Sequence, residues 1–309
     1  MKILFDTDIG DEIDDAIALY AAMRQGIEIV GVTTVFGNTV ERARQAKKLL
    51  KDYANGYEAV PVYAGYGTPI ASAMRAVGHI PHYTPELEAD CYAPDGREAR
   101  DAVDFIIDAC HRYGRELTVV AVGPFTNLAR VIERDADALN SIASVVIMGG
   151  AFYKQYADWN VMCDVEAAER MFCSLDNLEC IGADVTHLTV ADPALCECLL
   201  RDSGRGSGFC YLSALYGLWK DANEGIPLVL HDPLVIYYLS DPALCEMEEA
   251  PVVVLTEGYA RGMTLNVDAY GKSMLNVAYA NFDRARKVRV AHSVDLAAFH
   301  PRILKDFTT

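Results

Sequence analysis

Short apolar runs rich in β-branched residues alternate with stretches whose apolar positions recur at helical spacing, from the start of the chain to about residue 185. The runs predict strands over Lys2–Asp6, Ile27–Val35, Val60–Tyr63, Leu117–Val122, Ser144–Met148 and Leu178–Ala183. The stretches between them predict helices over Asp14–Arg24, Glu41–Tyr53, Arg97–Tyr113, Asn127–Arg134 and Val165–Cys173. Strands separated by a helix pair in parallel through a crossover, so the expected fold is α/β: a single open, mostly parallel sheet flanked by helices. In such sheets ligands bind beyond the carboxyl ends of the strands, which places the site there. After residue 185 the rhythm turns more helical, over Asp192–Asp221 and Pro233–Leu239, and a last helix is expected over Asp295–Phe307. Two later strands, Val252–Thr256 and Lys287–Ala291, close the sheet. No repeat, low-complexity tract or linker divides residues 1–309, so one domain is expected. The irregular stretches 65–95 and 204–230 are long enough to serve as lids.

Six carboxylates interrupt this pattern within ten residues: Asp6, Asp8, Asp11, Glu12, Asp14 and Asp15. They follow an apolar strand and precede the helical Ala16-Ile17-Ala18-Leu19. One or two acids are enough to cap a helix, and like charges this close repel strongly unless protonated or neutralised. Hard carboxylate oxygens at irregular spacing suit Ca²⁺ or Mg²⁺ rather than Zn²⁺, so a metal site is expected at the end of the first strand.

The chain is 52% apolar with a formal charge of −17, which suits a globular protein with a large core and argues against nucleic-acid binding, where clustered Lys and Arg are needed. Nine cysteines without a C-x-x-C read as reduced core thiols. No run approaches the roughly 20 apolar residues of a membrane span, and no signal peptide can be drawn, so the cytoplasm is expected.

The polar residues that follow the other strands form a set: Thr33-Thr34-Val35-Phe36-Gly37-Asn38, Gly123-Pro124-Phe125-Thr126-Asn127, Met148-Gly149-Gly150-Ala151, Asp158-Trp159-Asn160 and His231-Asp232-Pro233. With the N-terminal D-x-D-x-G…D-D-A, the G-P-x-T-N-L-A segment and the H-D-P, the chain resembles the nucleoside hydrolase family, metal-dependent N-ribohydrolases of inosine, uridine and related nucleosides. The likeness extends to Arg261-Gly262-Met263-Thr264. It implies a Ca²⁺ held by the side chains of Asp8, Asp15 and Asp232 and the Thr126 carbonyl, with Asp14, Asn38 and Asn160 on the ribose. It also implies a homo-oligomer, dimer or tetramer, acting in purine and pyrimidine nucleoside salvage.

The chemistry asks for such an arrangement on its own grounds. Cleaving an N-glycosidic bond builds oxocarbenium character on the ribose while the base departs. A Ca²⁺-bound water is the expected nucleophile, with Asp8 expected to take its proton, which matters more beside Ca²⁺ than beside zinc. A metal that grips both hydroxyls of a cis-diol favours ribose over 2′-deoxyribose. His231, with an ordinary pKa of roughly 6.5, is the candidate to protonate the leaving base. His79 and His82 in the first lid and Trp219 in the second are candidates for base contact, although Tyr211, Leu215, Tyr216 and Trp219 also have the spacing of a packed helix face.

Three departures stand out against the resembled family. The loop Gly10-Asp11-Glu12-Ile13-Asp14 is two residues longer than the commonest form. Asp158 stands where many members carry Glu, one methylene longer, so its reach to the ribose 5′-hydroxyl is open. The segment between Gly150 and Asp158 is short, and the amide often found there in the family has no match. A 5′-modified substrate, or a ribosyl-ligand-binding protein without turnover, are the alternatives these changes leave. A haloacid-dehalogenase-like phosphatase is suggested by Asp6-Thr7-Asp8 but lacks its later partners, and an EF-hand is excluded by a glycine at the wrong position.

Overall fold

The structure is a computed structural model that describes residues 1–71, 80–201, 206–268 and 285–308. The chain begins with β1 (Lys2–Thr7), α1 (Asp14–Arg24), β2 (Glu28–Thr34), α2 (Thr39–Tyr53), β3 (Val62–Ala64) and α3 (Ala99–Tyr113). It continues with β4 (Leu117–Ala121), α4 (Thr126–Arg134), β5 (Ser144–Met148), α5 (Trp159–Cys163), α6 (Val165–Ser174), β6 (Leu178–Ile181) and α7 (Ala183–Thr186). The helices α8 (Pro193–Leu200), α9 (Ser207–Ala222) and α10 (His231–Ser240) follow. Then come β7 (Cys245–Val254), β8 (Thr264–Asn266), β9 (Arg286–Val294) and α11 (Leu296–Thr308).

Among the described residues nine strands form one sheet in the order β3-β2-β1-β4-β5-β6-β9-β7-β8. It is parallel from β3 to β9, while β7 runs antiparallel to both β9 and β8. The chain winds outward from β1 to β3 and then restarts on the other side with β4, so the direction of winding reverses between β1 and β4. That is the switch point at which a crevice opens.

Successive residues of a strand face opposite sides, and each side is covered by helices. Ile3 and Phe5 of β1 join one apolar cluster with side chains of α1, α2, α9, α10 and α11. Leu4 joins the other, with α3, α4 and α6. Strands buried on both faces need to be apolar throughout, which is why β1 and β4 read as continuous runs rather than as alternation.

Two expectations are corrected, and one helix is added. The helical stretch over 192–221 is two helices, α8 and α9, and Gly206 enters α9 with φ +90°, a left-handed backbone that glycine accepts readily. β7 starts at Cys245, well before Val252, because Glu246, Glu248 and Glu249 on its exposed positions hide the strand pattern. The short α5 carries too few residues for any periodicity to show. All nine cysteines are free thiols, and no described helix is long and apolar enough to cross a membrane.

Candidate active site at the strand ends

The turn after β1 is shaped by groups that reach it from elsewhere in the sheet. Asp6 Oδ1 accepts hydrogen bonds from Thr33 Oγ1 at 2.5 Å and Asn127 Nδ2 at 2.8 Å, and the same amide nitrogen reaches the Thr34 carbonyl at 3.1 Å. This staples the ends of β1 and β2 to the start of α4. Thr7 donates to Asp15 and accepts from Ile9 N at 3.1 Å. Arg42 of α2, fully buried, donates to the carbonyl oxygens of Phe36 at 2.6 Å and Ile9 at 3.1 Å and to that of Asp8, and it pairs with Asp11. Gly123, just past β4, lets that loop close on the turn, since a Cβ there would lie 2.8 Å from both Asp8 N and Asp8 Oδ1.

Beyond this turn three carboxylates converge. Asp14 and Asp15 occupy the first turn of α1 and Asp232 the first turn of α10, and the two helices pack together. One oxygen from each lies within 4.8 Å of the others, and all three residues are buried. Asp232 N donates to Asp14 Oδ2 at 3.3 Å. Burial first, and then the neighbouring charges, push Asp14 up to about 7 and Asp15 and Asp232 well above the ordinary carboxylate value. Asp8 lines the same cavity and acts electrostatically on all three; burial raises it to about 6, with Asp11 and Asp158 adding to the rise and Arg42 opposing it. Buried carboxylates this close, with no Lys or Arg among the described residues that line their cavity, ionise together only around a cation. An all-oxygen donor set fits a hard divalent ion.

The cavity measures about 840 Å³. Asn160 spends its amide nitrogen on the carbonyls of Val122 at 2.6 Å and Met148 at 3.1 Å, so its oxygen is what it offers a ligand. Asp158 lines the cavity, but its carboxylate caps α5, accepting from Val161 N at 3.2 Å and from the backbone of Gly150 and Asn160. His231 Nδ1 meets Thr186 Oγ1 at 2.6 Å, and burial with the nearby His187 lowers its pKa to about 4. His82 is 2% exposed, and its Nδ1 has no partner among the described residues. Trp219 Nε1 donates to Glu12 Oε2 at 2.7 Å.

Two residues expected at the site do not line the cavity. Asn38 caps α2, its side chain accepting from Glu41 N at 3.3 Å. Thr126 is buried at the start of α4, with its hydroxyl donating to Asp164 Oδ2 at 2.6 Å. His79 lies outside the described residues. His187, not singled out above, also lines the cavity, beside Tyr156, whose hydroxyl is 3.1 Å from His187 Nδ1, and its ring meets His231 edge-on at 5.1 Å. Its only signal in sequence is its place directly after Asp184-Val185-Thr186.

Comparisons with known proteins identify the family. The inosine-uridine preferring nucleoside hydrolase from Leishmania major is 31% identical over 277 residues, covering 85% of this chain and 87% of that protein. A solved plant nucleoside hydrolase superposes with a TM-score of 0.80 at 26% identity, covering 100% of this chain and 99% of that one. A purine-preferring ribonucleoside hydrolase from Gardnerella vaginalis gives 0.76 at 28% identity, over 99% of this chain and 96% of that one. A family model described as inosine-uridine preferring nucleoside hydrolase matches residues 3–301, and this chain, with its carboxylates gathered at the sheet's switch point, belongs to that family and is a nucleoside hydrolase.

Proposed function

We propose that this enzyme hydrolyses ribonucleosides to ribose and free base with a Ca²⁺ held by the carboxylates of Asp8, Asp15 and Asp232 that line the cavity. The observation that carries the reading is the meeting of Asp14, Asp15 and Asp232 oxygens within 4.8 Å in a buried setting. A divalent cation bound there would supply Lewis acidity for the ribose hydroxyls and for a water at the site.

The chain's own groups do the rest. Asp8, which lines the cavity beside the carboxylate cluster, accepts the proton of the attacking water. Asp14 and the Asn160 oxygen accept hydrogen bonds from ribose hydroxyls, and the surrounding carboxylates favour the positive charge that develops on the sugar. A ribose lacking its 2′-hydroxyl leaves a buried carboxylate unserved, so ribonucleosides are preferred. In this role His231 carries its proton on Nε2, with Nδ1 facing the Thr186 hydroxyl at 2.6 Å. Its lowered pKa keeps the imidazole neutral near pH 7, so it donates a hydrogen bond to the departing base and not a full proton.

The base lies toward the far end of the cavity, whose walls include Pro81 and His82 from the first lid segment and Trp219, Ile226 and Leu228 from the second. Nine free thiols support a cytoplasmic setting. The test is a panel of inosine, guanosine, uridine, adenosine and cytidine read by release of free base, before and after EDTA. Release that stops with EDTA and returns with Ca²⁺ rather than Zn²⁺ supports the reading, whereas binding without release rejects it.

A further inference from the structure

Glu12 stands apart from the other acids of the N-terminal turn. Asp6 is tied to Thr33 and Asn127, Asp11 is paired with Arg42, and Asp14 and Asp15 belong to the buried cluster. Glu12 is exposed, lines the cavity and accepts the 2.7 Å hydrogen bond from Trp219 Nε1, which joins the turn after β1 to the last turn of α9. Trp219 is 3% exposed and stacks on Tyr216 with ring centroids 6.0 Å apart and planes 17° from parallel. The indole is thus fixed from behind, and it fixes a side chain that would otherwise sample many rotamers. A carboxylate has about four acceptor sites, and the indole takes one. His82 lines the same cavity, nearly fully buried and with Nδ1 unpartnered, which is a second sign of a polar ligand at this end.

We propose that Glu12, braced by Trp219, is a specificity-determining residue that accepts N–H groups of the leaving base, so that bases with a ring N–H beside an exocyclic amino group, guanine foremost, are favoured. The inference rests on the reading of this cavity as the ribonucleoside site. Guanine turns N1–H and its 2-amino group toward a carboxylate and makes two parallel N–H···O bonds. Hypoxanthine keeps only N1–H, and the N3–H of uracil sits between two carbonyl oxygens that the same negative charge repels. The extra length of the N-terminal loop then has a use: it carries Glu12 from the metal-binding turn to the base.

Guanosine and inosine differ by one amino group, so the ratio of their kcat/KM values isolates the contact. The wild type is expected to favour guanosine by about tenfold or more, and Glu12→Gln to bring the ratio within about twofold. Trp219→Phe, which keeps an aromatic ring but releases the carboxylate, gives an intermediate ratio. The influence of Glu12 on Asp14 alters both substrates alike and cancels. Glutamine still offers an oxygen to the indole, so a purely bracing Glu12 leaves the ratio unchanged on substitution, and that outcome overturns the proposal. A wild type indifferent to the amino group overturns it as well. Absence of base release from every ribonucleoside overturns the proposed function itself, and is thereby distinct from release whose ratio Glu12→Gln does not move.

Discussion

At the floor of the cavity Asp14, Asp15 and Asp232 are 6%, 4% and 4% exposed and stand on the first turns of two helices packed against each other; at its rim Trp159 and Ile226 are 53% and 59% exposed. The floor is held by bonds that cross the sheet, from Thr33, Asn127 and Arg42. The rim is held by single contacts such as Glu12 to Trp219 and Tyr156 to His187. A site that must keep several carboxylates at fixed separation needs rigid elements, while a wall that only has to accommodate a base can be made of loops. The chemistry should therefore be sensitive to changes at the floor and the choice of base to changes at the rim.

The sharpest way to break this division is Asp8→Ala, which removes the proposed base and a proposed metal ligand together. Turnover is expected to fall by a factor on the order of 10³ or more for every ribonucleoside, and wild-type-like rates would exclude the role. His231→Ala sits at the boundary. It should slow purine nucleosides by roughly 10²-fold but an activated nitrophenyl riboside much less, and equal slowing of both rejects help to the leaving group.

Stability offers a readout of the floor that does not depend on turnover. Asp6, Asp8 and Asp14 have folded-state pKa values raised to about 7, 6 and 7 from 3.8. Such carboxyls bind protons more tightly folded than unfolded, so their stabilising effect is full below 3.8 and is lost as pH rises through 6 to 7. His231, lowered to about 4, acts in the opposite sense between about pH 4 and 6.5, but it is one group against several. Chelated protein should accordingly lose Tm between about pH 5 and 8, and Ca²⁺ should restore it more at the upper end than at the lower. A chelated Tm that climbs over that interval contradicts the picture of a crowded, cation-dependent floor. The smallest effect is expected at the rim: Ile226→Ala should change kcat less than about threefold and act mainly on KM, as loss of exposed apolar contact does.

The same division governs what the sequence discloses. Asp8, Asp14 and Asp15 stand out because local crowding of like charge is visible without any structure, and β1 and β4 are legible because buried parallel strands are apolar throughout. Asn38 is harder to read, because the side-chain oxygen that could bind a sugar also caps a helix. Glu12 and Trp219 are 207 positions apart, and no periodicity links a turn to the end of a distant helix. His187 is hidden for a similar reason: its exposure and its partner Tyr156 are set by loop geometry and leave no pattern in composition.

Arg42 carries one more consequence. Its guanidinium, the largest fully buried side chain, already clasps the carbonyls of Phe36, Asp8 and Ile9 together with the Asp11 carboxylate. The backbone of the acidic turn is thus shaped by the protein itself and does not wait for an ion to order it. Loading becomes a matter of stripping hydration from the incoming cation and not of rearranging a loop, so uptake and exchange should be quick, with little change in backbone amide protection outside the first turns of α1 and α10.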